Sequence, residues 1–332
     1  MRRALAAAGT IGVLLCPAPP AQAQGLALNP DALAVLEQPM AVRWRGVTLH
    51  YSQLLDLALA HDFLADETRV DPRAEIRLSA ERQLPNAITI GATYSGAYAD
   101  APGYRDRWGV FVGGVFGQLS FGEVAGTVRE VTRRNRGTGN AELEFDDVIG
   151  GLEEDALAVA YGLRLSAFTL NLAVDENGHP DLGITYDRPG RHVDYRLTAR
   201  YTAGTAPAAN GVTTFDTDAV GLVGQIGYGR LLADVGLGYE WLDGPLGQGD
   251  RRYVSAGLHY KLRRLSVSAE GHVGETDGNS ETSIALGTRF DVARGLSVNL
   301  GYNHASGSRA VNGIPIDNVR LSEIVGSLRY EF

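Results

Sequence analysis

The longest stretch without strand-like patterning, Glu123 to Asp155, is also the most charged, and its charges are sorted by sign. Its first half carries Arg129, Arg133, Arg134 and Arg136; its second carries Glu142, Glu144, Asp146, Asp147, Glu153, Glu154 and Asp155. Loops of this length inside a compact domain usually carry function. Its carboxylates and guanidiniums are too numerous to define one acid–base pair. Opposed rows of charge at a narrow passage can instead sort small solutes by sign and by dipole orientation. The competing reading is an ordinary solvated loop on the outside of the protein.

Other chemistries find few residues to work with. Cys16 is the sole cysteine and falls in an N-terminal leader, so thiolate catalysis, disulfides and cysteine-ligated metals are not expected of the remaining chain. No G-x-S-x-G, H-E-x-x-H or P-loop pattern occurs. Asp175-Glu176-Asn177-Gly178 and Asp277-Gly278-Asn279-Ser280 resemble the start of calcium loops. Neither continues to a terminal glutamate, so both read as turns. No catalytic residue, cofactor or metal is expected, and the chain is read as not an enzyme.

The elements that must position these charges are strands. Arg73 to Gln83 places Ala74, Ile76, Leu78 and Ala80 on one face and Arg73, Glu75, Arg77, Ser79 and Glu81 on the other. Val193, Tyr195, Leu197, Ala199 and Tyr201 likewise alternate with His192, Asp194, Arg196, Thr198 and Arg200. Period-two alternation of this kind predicts strands with one apolar and one polar face. Fifteen such segments run from Arg73 to Phe332, and Ala41 to Tyr51 is the candidate for a sixteenth; 14 strands is the alternative. Ser52 to Leu64 carries Leu55, Leu59 and Phe63 at helical spacing and reads as a short amphipathic helix, with a poorly formed strand pair as the alternative.

The polar faces hold Arg77, Arg196, Arg200, Glu270 and Arg289 in mid-strand, while the apolar faces end in aromatics such as Tyr94, Tyr98, Tyr239, Trp241, Tyr302, Tyr330 and Phe332. A 16-strand barrel is too wide for side chains to fill, so charges can face a wet lumen. Aromatic girdles belong at the two membrane interfaces. By the same parity Ser255, Gly257 and His259 face the lumen, which disfavours a hydrolase working on the lipid side. The expected fold is all-β, a transmembrane antiparallel β-barrel. Glycine, 42 of 332 residues without a G-x-y period, fits its turns and close backbone packing.

Export is expected as well. Arg2 and Arg3, the apolar run Ala4–Leu15, the prolines at 17, 19 and 20, and Ala21-Gln22-Ala23 make a Sec-type signal peptide cleaved near Ala23. Without Arg2 and Arg3 the chain has 28 basic and 39 acidic residues, a net charge of −11. That balance argues against a nucleic-acid surface and for a modest cation preference.

The last strand, Ser327-Leu328-Arg329-Tyr330-Glu331-Phe332, resembles the terminal signature that assembly machinery reads on Gram-negative outer-membrane barrels. Gly113-Gly114-Val115-Phe116-Gly117-Gln118-Leu119-Ser120-Phe121-Gly122-Glu123 is similar to the hairpin before the constriction loop of general diffusion porins. From about residue 73 to 332 the chain thus resembles the trimeric porin family, its alphaproteobacterial type included. The resemblance implies a homotrimer in the Gram-negative outer membrane, passing small hydrophilic solutes and ions passively. It implies a loop, about 123–155, folded into the barrel, with Glu142, Glu144, Asp146 and Asp147 as its side of a constriction. The wall side must then come from inward-facing arginines: Arg73, Arg77, Arg107, Arg196 and Arg200 are the candidates, with Arg289 and Arg329 also allowed by parity. The organisation expected is a signal peptide over 1–23, an N-terminal segment over 24–70 and a barrel over 71–332. A substrate-specific channel and a closed structural or adhesive barrel are the alternatives.

Overall fold

The computed structural model describes residues 40–99, 103–145, 148–153 and 155–332; the expected signal peptide, Asp146 and Asp147 lie outside the described residues. Seventeen strands are present among the described residues. They are β1 (Met40–Trp44), β2 (Val47–Asp62), β3 (Glu67–Gln83), β4 (Thr89–Ala99), β5 (Gly103–Gly114) and β6 (Gly117–Gly122). After a one-and-a-half-turn helix, α1 (Thr127–Thr132), follow β7 (Ala158–Leu165), β8 (Phe168–Asp175), β9 (Pro180–Arg188), β10 (Val193–Pro207), β11 (Thr214–Tyr228) and β12 (Leu231–Gly244). The last five are β13 (Gly247–Leu262), β14 (Leu265–Thr276), β15 (Asn279–Ala293), β16 (Leu296–Val311) and β17 (Ile314–Glu331).

Each strand from β2 onward pairs antiparallel with the next, and β17 returns to β2 along Glu323–Glu331 and Leu54–Asp62. Sixteen strands therefore close a barrel. β1 is additional: it pairs with Val47–Tyr51 of β2, continuing the edge that the C-terminal strand leaves at Gln53. The first barrel strand is thus Val47–Asp62 rather than Ala41–Tyr51, and the barrel begins well before residue 71.

The helix expected over Ser52–Leu64 is a strand instead. Leu55, Leu59 and Phe63 satisfy a period of two as well as a helical one. Leu57, between them, also points outward, while Asp56, Ala58 and Ala60 are buried inward. Pairing with β3 and β17 on both sides satisfies its backbone, which a lone helix could not offer a closed wall.

The burial pattern is inverted relative to a water-soluble domain. Leu57, Val70, Leu197, Leu222 and Leu286 are exposed on the outer face, while Ser95, Thr185, Gln225 and Asn299 are buried inside. Tyr195, Tyr228, Phe290 and Tyr330 ring the outer face at the end holding Phe332; Tyr98 and Trp241 stand near the other end. Connections at that other end are mostly as tight as those near Phe332. Asp277-Gly278 and Asn312-Gly313 turn with both residues at positive φ (46° and 83°, 50° and 80°), the geometry of two-residue hairpins. The one long connection between the described strands is the segment between β6 and β7.

Because the outer face meets hydrocarbon, Leu286→Arg at mid-strand should lower barrel stability by about 2–4 kcal/mol, and Leu64→Arg beyond the strand end by about 0–1 kcal/mol. Urea unfolding in lipid vesicles measures both; equal effects would contradict a lipid-facing band.

Candidate functional site

Between β6 and β7 the chain turns inward and runs over the inner wall. Its two ends clasp small residues: Val124, Ala125, Val128 and Leu152 are buried with Ala158, Ala160 and Ala173. From there its contacts progress around the barrel. The Val131 carbonyl accepts a 2.6 Å hydrogen bond from Arg196 on β10, and the Thr138 amide donates to Ser268 on β14 at 2.8 Å. The Glu142 amide donates to Asn303 on β16 at 2.9 Å, and the Ile149 amide to Glu240 on β12 at 2.8 Å. Inward glycines let the loop lie this close. A Cβ at Gly183 would meet Thr132 at 2.5 Å, and one at Gly236 would meet Arg134 at 2.7 Å.

Buried charges fix this path. Arg134 inserts into the wall against Asp234 of β12 and Glu270 of β14, the latter at 3.2 Å, with His259 Nε2 3.2 Å from Asp234. Arg251 of β13 lies between Glu240 (2.5 Å) and Glu281 (2.6 Å), donates to the Phe145 carbonyl at 2.7 Å and stacks on Tyr253. Arg329 of β17 binds Asp56 through Nε and Nη2 (3.0 and 2.8 Å) and reaches Asn140 of the loop. Withdrawing charges from water is costly, and each survives here because opposite charges and hydrogen bonds meet it.

The expected site residues divide accordingly. Arg196 and Arg200 lie behind the loop: Arg196 holds Val131, and Arg200 grips Asp181 at 2.9 and 2.8 Å. Arg73 and Arg77 are open to the lumen, their side chains 53% and 44% exposed, and Arg107 faces inward opposite Ser95. They do not stand as bare cations. Along the inner face of β3 the charges alternate, Arg69, Asp71, Arg73, Glu75, Arg77, and neighbours pair: Arg73 with Asp71 at 3.1 Å and Arg77 with Glu75 at 2.5 Å. Arg69 bridges to Glu323 at 2.6 Å.

On the loop, Glu142 is 54% exposed and only loosely paired with Arg136 at 3.5 Å. Burial, with Glu142 beside it, pushes the Glu144 carboxyl above the ordinary carboxylate range, against the pull of Arg309. Glu130 of α1 is exposed and within electrostatic range of Arg77, which brings loop carboxylate and wall guanidinium to the same space. Glu130 was not among the expected residues, nor were Arg134, Arg251, Asp234, Glu240 and Glu281. Parity alone marks the wall members as inward but says nothing of their partners.

One arrangement has the form of a catalytic relay: Ser255 Oγ lies 2.8 Å from His272 Nδ1, and His272 Nε2 3.0 Å from Glu281. All three are buried beneath Phe145, and Glu281 is committed to Arg251. The group therefore acts as part of the loop anchor. Asp175 accepts from the amides of Asn177 (3.0 Å) and His179 (2.8 Å), so that motif is a turn, as is Asp277-Gly278.

No protein-family model matches the sequence, and no curated protein does. Solved structures do. OmpT in trimer form, an outer membrane protein of Vibrio cholerae, superposes with a TM-score of 0.68 at 14% identity, covering 86% of this chain and 100% of that one. An anion-selective porin from Comamonas acidovorans gives 0.62 at 12% identity, with the same coverages. A variant of the Rhodopseudomonas blastica porin gives 0.53 at 15%, again over 86% and 100%. At such identities the likeness is one of fold: this chain has the 16-strand barrel of outer-membrane porins.

Arg134→Leu should strand Asp234 and Glu270 and weaken loop anchoring by about 3–5 kcal/mol. Limited proteolysis of the folded protein reads this directly: the variant is cut between residues 123 and 157 while the barrel stays heat-modifiable. Restoring resistance by adding Asp234→Asn and Glu270→Gln would confirm charge as the cause.

Proposed function

We propose that the protein is a passive outer-membrane channel for small hydrophilic solutes and ions, with a weak preference for cations. The observation that carries this reading is the exposed strip of paired charges on β3, facing a loop that hydrogen-bonds to the inner wall and exposes Glu130, Glu142 and Glu144. Charges kept wet inside a closed apolar-skinned wall have no use in a filled core, whereas a conducting path lined by them selects by size and sign.

In this reading the loop narrows the lumen. Glu142 and Glu144 lie on its side, joined by Glu130 and, from the sequence, Asp146 and Asp147; Arg73, Arg77 and Arg107 lie on the wall side. Arg196 and Arg200 support the loop from behind. Arg73 and Arg77 are largely neutralised by carboxylates on their own strand, so the loop carboxylates leave the passage net negative, in the direction of the −11 charge of the processed chain. Signal cleavage near Ala23, delivery to the outer membrane through the strand ending in Phe332, and assembly as a homotrimer complete the proposal. The trimer draws support from the trimer form of the Vibrio cholerae barrel.

Purified protein in a planar bilayer under a salt gradient should give large ohmic steps, closing in threes at high voltage, with a cation-selective reversal potential. Silence from correctly folded protein, or anion selectivity, would overturn the reading. Arg77→Ala should raise single-channel conductance and increase cation preference; unchanged values would remove Arg77 from the passage.

Acidification should act through Glu144. Its raised proton affinity means that, as pH falls, it loses its negative charge before a glutamate in open water does, so cation preference declines from a higher pH. Glu144→Gln should be less cation-selective at neutral pH and lack this early component when reversal potentials are followed from about pH 7 to 4.

A further inference from the structure

One strand facing the lumen orders its charges instead of gathering one sign. The inward positions of β3 read Glu67, Arg69, Asp71, Arg73, Glu75 and Arg77, alternating in sign at every step. Same-face positions of a strand recur every second residue at about 3.3 Å per residue, so these rungs stand roughly 6.6 Å apart. Small neighbours keep much of the row open. Ala60 and Ala58 of β2 lie beside Arg69 and Asp71, and Ala97 and Ser95 of β4 lie beside Glu75 and Arg77.

The pairs within the row are held weakly. Arg73 with Asp71 and Arg77 with Glu75 stand in water, the two arginine side chains about half exposed. Exposed pairs of this kind contribute about 0–1 kcal/mol, so a charge on a passing solute can replace either partner. A monovalent ion is attracted only at every second rung, about 13 Å apart, with a like charge between. A solute carrying both charges one rung apart has an easier path. With its ammonium at Glu75, its carboxylate can swing from Arg77 to Arg73. With the carboxylate then held at Arg73, the ammonium swings from Glu75 to Asp71. End over end it advances one rung at a time, and neither charge has to rest against its like.

The rung spacing selects the length of such a solute. An extended peptide spans at most about 3.3–3.6 Å per residue, so a dipeptide reaches about 6.6–7.2 Å and a single amino acid about half of that. Both termini of a dipeptide are largely charged near pH 7. We propose that β3 is a conduction rail for zwitterionic dipeptides, which the channel passes faster than uncharged solutes of their size. This rests on the channel reading above and adds to it the class of solute.

The test reconstitutes the full-length folded protein into liposomes and reads initial swelling rates in isosmotic glycylglycine and in N-acetylglycinamide, which is close in size and uncharged. Glycylglycine should enter about threefold faster, the weight of two weak exposed pairs. Glycine and its uncharged isomer glycolamide should enter at similar rates, because glycine is too short to span two rungs. The dipeptide preference should fade as KCl shortens the screening length from about 30 Å to about 3 Å. It should vanish in the double variant Asp71→Asn with Glu75→Gln. It should fall as well when Glu75→Arg is combined with Arg77→Glu, which keeps the net charge and breaks the alternation. Equal entry of glycylglycine and N-acetylglycinamide, an equal preference for glycine, indifference to KCl, or an unchanged ratio in the folded variants would each overturn this proposal alone. If N-acetylglycinamide itself fails to enter, the channel reading falls and the rail with it.

Discussion

A chain that crosses hydrocarbon with strands must pair every backbone N–H and C=O, and only a closed sheet leaves no edge. That constraint sets the rest of this molecule. Sixteen strands of this wall enclose more space than their inward side chains fill. The interior is therefore settled by what the chain sends back into it: one long connection between β6 and β7, laid over the inner faces of β8 to β17. β1 serves the same requirement at small scale, taking over the edge of β2 where the C-terminal strand stops.

Charge does two different jobs on the two sides of that loop. Behind it, Arg134, Arg251 and Arg329 sit in tight pairs with acids of the wall, nearly withdrawn from water. Such pairs add little net stability compared with apolar packing, but they are severe about geometry, because a misplaced loop would leave them unmet. In front of it, the pairs on β3 stay wet and contribute little to stability. Their consequence is electrostatic, a wall of alternating sign in place of a uniformly positive one. The distinction explains why two arginines of identical strand parity, Arg77 and Arg200, have different surroundings.

The wall's glycines belong to the same logic. Where the loop backbone passes, the inner face offers Gly183, Gly204, Gly236, Gly287 and Gly301, positions at which an added methyl would strike the loop. A composition rich in glycine thus reflects the close approach of two backbones as well as turns.

Period-two alternation, the outer aromatics and the polar inner rows were enough to read an antiparallel transmembrane barrel of 16 strands, because side-chain parity is a local property of the strand. The same parity placed Arg73, Arg77 and Arg107 on the lumen face. It misread Ser52–Leu64, whose leucines fit both periods, since only pairing with β3 and β17 chooses between them. It also grouped Arg196 and Arg200 with the open arginines, and it offered no means of finding that Arg134 meets Asp234 or that Arg251 meets Glu240 and Glu281. Those partners are separated by 11 to 100 positions, and their distance in space is set by register and by barrel closure. The sequence by itself determined which faces are wet and which are oily, because that follows from each residue and its neighbours. Only the tertiary structure decided which wet charges the loop would cover, because burial depends on what the rest of the chain lays over them.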